Sequence, residues 1–154
     1  MTIYGGTEVV GSRLGAYVTV SPLSRIFIVD DHPLMRRALH RLLNLEPGFT
    51  TVGEAASAED ALEQLAFDLP DAPPDLMLVD FSLPGMDGAQ FVRRFGERHP
   101  GVHCLVLSSH HETPYVDAAL SAGAHGYVTK GDATALVGAI RRVLGGEIVV
   151  QTSF

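Results

Sequence analysis

Three aspartates, a serine and a lysine stand immediately behind apolar runs of the chain. Ile26-Phe27-Ile28-Val29 is followed by Asp30 and Asp31, and Leu76-Met77-Leu78-Val79 by Asp80. The run from Val102 to Leu107 is followed by Ser108, and Gly126-Tyr127-Val128 by Thr129 and Lys130. Taken singly, an aspartate after a strand is often a helix N-cap, a serine likewise, and a lysine at a turn is usually solvated. Taken together they mean more. If the four runs are parallel strands of one open sheet, their carboxyl ends share the edge at which such sheets gather binding groups. Three carboxylates meeting there repel one another and raise their own pKa values unless a cation sits among them. A hard divalent ion is the natural partner, and Mg²⁺ suits a small carboxylate cluster that also meets a phosphate. Lys130 is the only lysine among eleven basic residues. A need for a compact point charge at that strand end is one explanation; chance is the other.

The elements that must position these groups are legible from residue 25 onward, where apolar runs of four to six residues alternate with amphipathic segments of helical length. That alternation indicates βαβ units, a buried parallel sheet and an α/β fold. A helix is expected from about Pro33 to Leu45, with Leu34, Ala38, Leu42 and Leu45 recurring at helical spacing and Pro33 in its first turn. His32 and Pro33 read as setting that helix start. Thr50–Glu54 reads as a weaker strand, and Ser57 opens a helix with Ala61, Leu62 and Leu65 on its apolar face, ended by Leu69–Pro74. Further helices are expected over Gln90–Arg98, around Pro114–Ala122 with Gly123 as left-handed C-cap, and over Ala133–Leu144 with Gly145-Gly146 as the stop. The count is five strands and five helices.

Composition bounds the function. The chain has 154 residues, 46% hydrophobic, with a formal charge of −7. That suits one domain with a real core and disfavours a surface built to hold nucleic-acid phosphates, so no direct nucleic-acid binding is expected. The longest stretch free of Asp, Glu, Lys and Arg is His99–His111, thirteen residues with four histidines, which is too short to span a membrane. One cysteine, Cys104, allows no intramolecular disulfide. The start of the chain does not read as a secretory signal, and a cytoplasmic setting is expected. Residues 1–24 hold four glycines and no helical period, and read as an extension outside the core with a short strand at Ala16–Val20.

The segments Val29-Asp30-Asp31-His32-Pro33, Val79-Asp80-Phe81-Ser82-Leu83-Pro84-Gly85-Met86-Asp87-Gly88, Leu107-Ser108 and Gly123-Ala124-His125-Gly126-Tyr127-Val128-Thr129-Lys130 resemble the receiver domain of two-component response regulators. Their wording is nearest the subfamily that carries a C-terminal helix-turn-helix of the LuxR or NarL type. The resemblance spans residues 25–146, with 147–154 left as a tail or the start of a linker. It implies a doubly wound five-stranded parallel sheet in the flavodoxin-like order 2-1-3-4-5, with helices on both faces. It further implies that Asp80 is the phosphoacceptor, fed by a histidine kinase or phosphotransfer protein, and that Asp30, Asp31, Asp80 and the backbone carbonyl of Ser82 hold Mg²⁺. Ser108 would bond a phosphoryl oxygen and Lys130 pair with another. Ser108 and Tyr127 would form a switch acting on the surface of the fourth helix, fifth strand and fifth helix. A homodimer through that surface, or through the first and fifth helices, is the expected self-association. Physical chemistry agrees: an aspartate is a weak nucleophile toward phosphorus, and its phosphorylation is mostly positioning plus charge neutralisation.

Other signals are weaker. Tyr127 reads equally as a strand-end aromatic closing the core. Pro84, Gly85 and Gly88 shape the loop after Asp80, and Asp87 reads as a helix cap rather than a ligand. His110-His111 does not have the spacing of a metal site, although His110 borders the phosphorylation position. Arg36, Arg37 and Arg41 form a basic face on the first helix, suited either to steering a donor or to simple solvation. Two other classes stay open. An aspartate-nucleophile phosphohydrolase of the haloacid dehalogenase type needs a second carboxylate two residues after the nucleophile, and Ser82 stands there. A receiver fragment of a LuxR/NarL-type DNA-binding regulator, without its helix-turn-helix, is the alternative to a stand-alone receiver. The expected reading is a phosphoaccepting signalling domain rather than a turnover enzyme.

Overall fold

The computed structural model describes residues 2–4, 7–11, 17–20, 22–67 and 72–152. Near the start of the chain, β1 (Thr2–Tyr4), β2 (Thr7–Gly11) and β3 (Tyr17–Val20) pair antiparallel in the order β1-β2-β3. The strand expected at Ala16–Val20 is β3, apart from Ala16, which lies outside the described residues.

A second sheet follows. Its strands are β4 (Ser24–Val29), β5 (Phe49–Ala55), β6 (Leu76–Asp80), β7 (His103–Ser108), β8 (Gly126–Thr129) and β9 (Val149–Gln151). All pairings are parallel and the order is β5-β4-β6-β7-β8-β9. The first five strands take the expected flavodoxin-like order. The expected count of five is corrected to six, because the segment read as a tail contributes β9. Val149 there is 1% exposed and joins the core beneath α5 (Ala133–Leu144), so the short strand is held by burial as well as by its ladder to β8.

Period-two alternation along buried strands sends successive side chains to opposite faces. Ile26, Ile28, Leu76, Leu78, Leu105, Leu107 and Val128 enter one core. There they meet Leu39 and Leu43 of α1 (Pro33–Leu45) and Leu136, Ile140 and Val143 of α5. Phe27, Val29, Met77, Val79, Cys104, Val106 and Tyr127 enter the other. They are covered by Ala61 of α2 (Ala58–Phe67), Phe91, Val92 and Phe95 of α3 (Gly88–Arg98) and Ala119 of α4 (Thr113–Ser121). The sheet is therefore doubly wound, with α1 and α5 on one face and α2, α3 and α4 on the other.

The expected apolar face of α1 is rotated by one residue. Leu34 and Leu45 are 79% and 83% exposed, while Leu39 and Leu43 are buried with Met35 and Leu42 packed against them. The helix carries two apolar stripes one position apart, and periodicity alone does not choose between them. Helix starts follow the sequence signals: Ser57 Oγ accepts from Asp60 N, and Asp87 forms a capping box with Gln90. Gly123 is left-handed at φ +106°, as its C-cap role requires. The expected stop of α2 at Leu69–Pro74 lies partly outside the described residues.

Candidate functional site

β4, β6, β7 and β8 are consecutive neighbours in the sheet, so their carboxyl ends form one continuous edge. Asp30 follows β4, Asp80 ends β6, Ser108 ends β7, and Lys130 follows β8. The side chains of Asp30 and Asp80 are almost wholly buried, and Asp31 is partly so. Lys130 Nζ stands 3.3 Å from Asp80 Oδ2 and 3.9 Å from Asp30 Oδ2, one ammonium shared between two carboxylates. Asp30 Oδ1 accepts from the His32 backbone N–H at 2.8 Å, and Asp80 Oδ1 accepts from that of Ser82 at 3.2 Å. Asp30 Oδ2, Asp31 Oδ1 and Asp80 Oδ2 are buried and accept no hydrogen bond.

A single ammonium leaves this cluster short of positive charge, and the imbalance is visible at Asp30. Burial pushes its carboxyl above the usual range and the Asp80 charge adds to the rise, while the His32 N–H, Lys130 and the His32 ring work the other way. Buried oxygens with no donor are what a cation would satisfy. Asp30, Asp31, His32 and Asp80 each offer a ligand atom within 4.8 Å of the others. The donor set fits a divalent ion.

The loop after Asp80 folds back over the end of its own strand. Gly88 N–H donates to the Phe81 carbonyl, and a Cβ at Gly88 would lie 2.4 Å from the Asp80 carbonyl oxygen. Only glycine allows that approach. Gly85 adopts φ +72°, and the Met86 N–H beyond it donates to Glu59 Oε1, which holds the Glu59 carboxyl below its usual range. From the β4 side, Arg36 Nη1 donates to the Asp30 carbonyl at 2.7 Å, and its Nε lies 3.6 Å from Glu54 Oε1. Of the three first-helix arginines, Arg36 is thus occupied in holding the site's backbone, whereas Arg37 and Arg41 are exposed.

Ser108 and Tyr127 lie together on one side of the cluster. Ser108 Oγ accepts from His110 N at 3.0 Å, and Tyr127 Oη donates to the His110 carbonyl at 2.6 Å. Tyr127 is fully buried; burial raises its phenol pKa, and a hydrogen bond with the Ser108 side chain offsets part of that rise. Its ring meets Phe81 at 6.4 Å, Phe81 meets Tyr115 at 5.5 Å, and Tyr115 stacks on His110 at 4.1 Å. The tyrosine is already turned inward here, with His110 as its partner.

His32, expected only to set the start of the first helix, also stands beside the carboxylates. His32 is the N-cap of α1 yet makes no side-chain capping bond. Its Nδ1 faces the carboxylates instead, at 3.1 Å from Asp31 Oδ1, 3.5 Å from Asp30 Oδ1 and 3.9 Å from Asp80 Oδ2. The available signal was its place directly after two acids at a strand end.

A family model described as "Response regulator receiver domain" matches residues 26–141. The chain belongs to the response regulator receiver family. It is 40% identical over 127 residues to the transcriptional activator protein ExaE of Pseudomonas putida, covering 82% of this chain and 58% of that protein. It is 36% identical over 128 residues to the nitrate/nitrite response regulator protein NarL of Escherichia coli K12, covering 82% and 57%. A LuxR-family two-component response regulator from Aurantimonas sp. SI85-9A1 superimposes with a TM-score of 0.75 at 34% identity, over 82% of this chain and 89% of that one. The receiver's relatives are thus of the LuxR/NarL type, and it spans about half the length of the curated proteins it matches. Among the described residues no helix is long and apolar enough to cross a membrane.

Proposed function

We propose that this receiver accepts a phosphoryl group on Asp80 from a histidine kinase or phosphotransfer protein. The observation that carries this reading is the Asp80 side chain itself, buried at a strand end with an oxygen that accepts no hydrogen bond and the Lys130 ammonium 3.3 Å away. A carboxylate oxygen of Asp80 attacks phosphorus, a P–O bond forms, and the donor's P–N bond breaks with the proton retained by the leaving imidazole. Lys130 stabilises negative charge on the transferred group, and the Ser82 N–H fixes the carboxylate's orientation. Asp30, Asp31, Asp80 and the Ser82 carbonyl would hold Mg²⁺, which when bound neutralises the charge that repels an incoming phosphoryl group.

The same geometry supports a switch. The Ser108 hydroxyl is engaged with His110 N; drawn instead to a phosphoryl oxygen, it releases the backbone to which Tyr127 is anchored. The change would spread to the face formed by α4, β8 and α5. That face, or the α1/α5 face, would serve a homodimer. The apolar groove lined by Met35, Leu39, Leu42 and Leu136 lies on the latter. Because the match covers only 58% of ExaE, a transcriptional activator, a second reading is that this receiver governs a DNA-binding segment of a longer protein.

The test is incubation with acetyl phosphate and Mg²⁺ followed by intact-mass measurement. One phosphoryl group should add to the chain and be lost in Asp80→Asn. No adduct, or one that survives Asp80→Asn, overturns the assignment.

A further inference from the structure

His32 separates this cluster from an all-oxygen magnesium site. In an octahedron with metal–ligand bonds of about 2.1 Å, neighbouring ligand atoms lie about 3.0 Å apart and opposite ones about 4.2 Å. The distances from His32 Nδ1 to the three carboxylates, 3.1, 3.5 and 3.9 Å, fall inside that span. All four donors are within 4.8 Å of one another, so one ion can meet them with small adjustments. Two of the carboxylate partners, Asp30 and Asp80, are 1% and 3% exposed and each aims an oxygen without a hydrogen bond into the cluster. The His32 ring itself is 66% exposed and contributes no helix cap. Nothing in the packing around it requires an imidazole.

We propose that His32 Nδ1 is a fourth protein ligand of the receiver's metal site, and that the site takes a divalent ion of the Mn²⁺–Zn²⁺ series in preference to Mg²⁺. Imidazole nitrogen suits the later first-row ions, whose affinities rise toward nickel and copper, whereas Mg²⁺ strongly prefers oxygen and retains its waters. Replacing one water by a histidine therefore favours the transition ion selectively. This inference rests on the acidic cluster being the metal site of the phosphorylation reading above, but concerns which ion it selects.

The experiment is calorimetric titration of the full chain with Ni²⁺ and with Mg²⁺, for the wild type and His32→Ala. The substitution should weaken Ni²⁺ binding tenfold or more and Mg²⁺ binding less than threefold, and Ni²⁺ should raise the apparent dissociation constant of Mg²⁺, as a competitor for one site does. Pulsed EPR of the Mn²⁺ form should show a directly bound nitrogen that disappears in His32→Ala. Equal losses for both ions, no loss, Mg²⁺ binding indifferent to Ni²⁺, or Mn²⁺ without nitrogen coupling each overturn the proposal. Should His32→Ala not fold, His32→Gln and the wild-type EPR spectrum decide. Acetyl phosphate labelling of the wild type with Mg²⁺ is a separate arm: its failure removes the phosphorylation reading, while labelling combined with indifference to His32 removes only this inference.

Discussion

At Asp30 burial outweighs the favourable partners, and the sign of its contribution to stability is the reverse of that of an ordinary paired carboxylate. A carboxylate paired in the native state commonly has a lowered pKa, so its stabilising contribution is lost as pH falls. Here burial raises the Asp30 carboxyl above its ordinary value. The native state then binds the proton more tightly than the unfolded chain, so the ionised group opposes folding at neutral pH. That opposition is fully present above the folded-state pKa and is relieved as pH falls through it toward 3.8. Asp30 should therefore contribute a gain in the stability of the metal-free protein as pH falls from neutral toward 3.8. Asp30→Asn should stabilise the metal-free chain at pH 7 by about 1 kcal/mol or more, because it removes an incompletely compensated buried charge. It should also flatten that limb of the pH profile. Urea melts in chelator, taken from pH 7 down to about pH 4, check both, and a destabilised Asp30→Asn with an unchanged profile would contradict the account. The carboxylate cluster was legible in the sequence because each member ends or follows an apolar run. His32 was not, because a residue directly before Pro33 is satisfactorily explained as a helix start until its unused capping capacity and its distances are seen. The burial of Tyr127 agrees with its reading as a strand-end aromatic closing the core, whereas its bond to the His110 carbonyl was hidden, since sequence does not reveal where a carbonyl points.

At the scale of elements, the site depends on how closely the β6–α3 loop returns to β6. Gly88 and Gly96 lie in the same helix and make opposite predictions. A methyl group at Gly88 would meet the Asp80 carbonyl oxygen at 2.4 Å and Phe81 Cα at 2.8 Å, both backbone atoms that can yield only by moving the strand end. Gly88→Ala should cost about 2 kcal/mol or more and displace Asp80, reducing both phosphoryl labelling and metal affinity. At Gly96 nothing lies within 4 Å of the added carbon. Gly96→Ala should stabilise by about 0.5–1 kcal/mol through helix propensity alone, with the site unaffected. Thermal melts of the two variants, with labelling as the second readout, separate a close backbone approach from a general dislike of alanine in α3. Sequence identified Gly88 as a turn residue, but the reason it must be glycine is a tertiary contact. The same limit explains β9. Ile148-Val149-Val150 is an apolar run too short to be distinguished from a linker, and its place is fixed only when Val149 finds the α5 core. Elements with long runs or strong caps, such as β4, β6, α3 and α5, were readable because local signal and tertiary role coincide.

Across the whole molecule, the carboxylate cluster and the core are linked through the sheet that both share. Cys104 is the chain's only cysteine; it lies in β7 beneath the α3 side of the sheet, buried, with its thiol pushed up to about 12 by desolvation. A thiol in that state does not react at neutral pH, so alkylation requires the sheet to open. A divalent ion held as proposed by Asp30, Asp31 and Asp80 would bind carboxylates that only the folded sheet assembles, just after β4 and at the end of β6, the latter hydrogen-bonded to β7 itself. Binding to the native state alone stabilises by about 2.7 kcal/mol when the ion is at one hundred times its dissociation constant. If Cys104 becomes reactive only through global unfolding, alkylation by iodoacetamide should then slow by about one hundredfold. Asp31→Asn should lose most of that protection, because the residue is partly exposed and its substitution reduces metal affinity without opening the core. A rate indifferent to the metal would mean that β7 opens locally, independently of the carboxylate edge. In that case ion binding would not be felt along the strand that carries Ser108, and the route from the cluster to the α4–β8–α5 face would have to pass through the backbone of the loops alone.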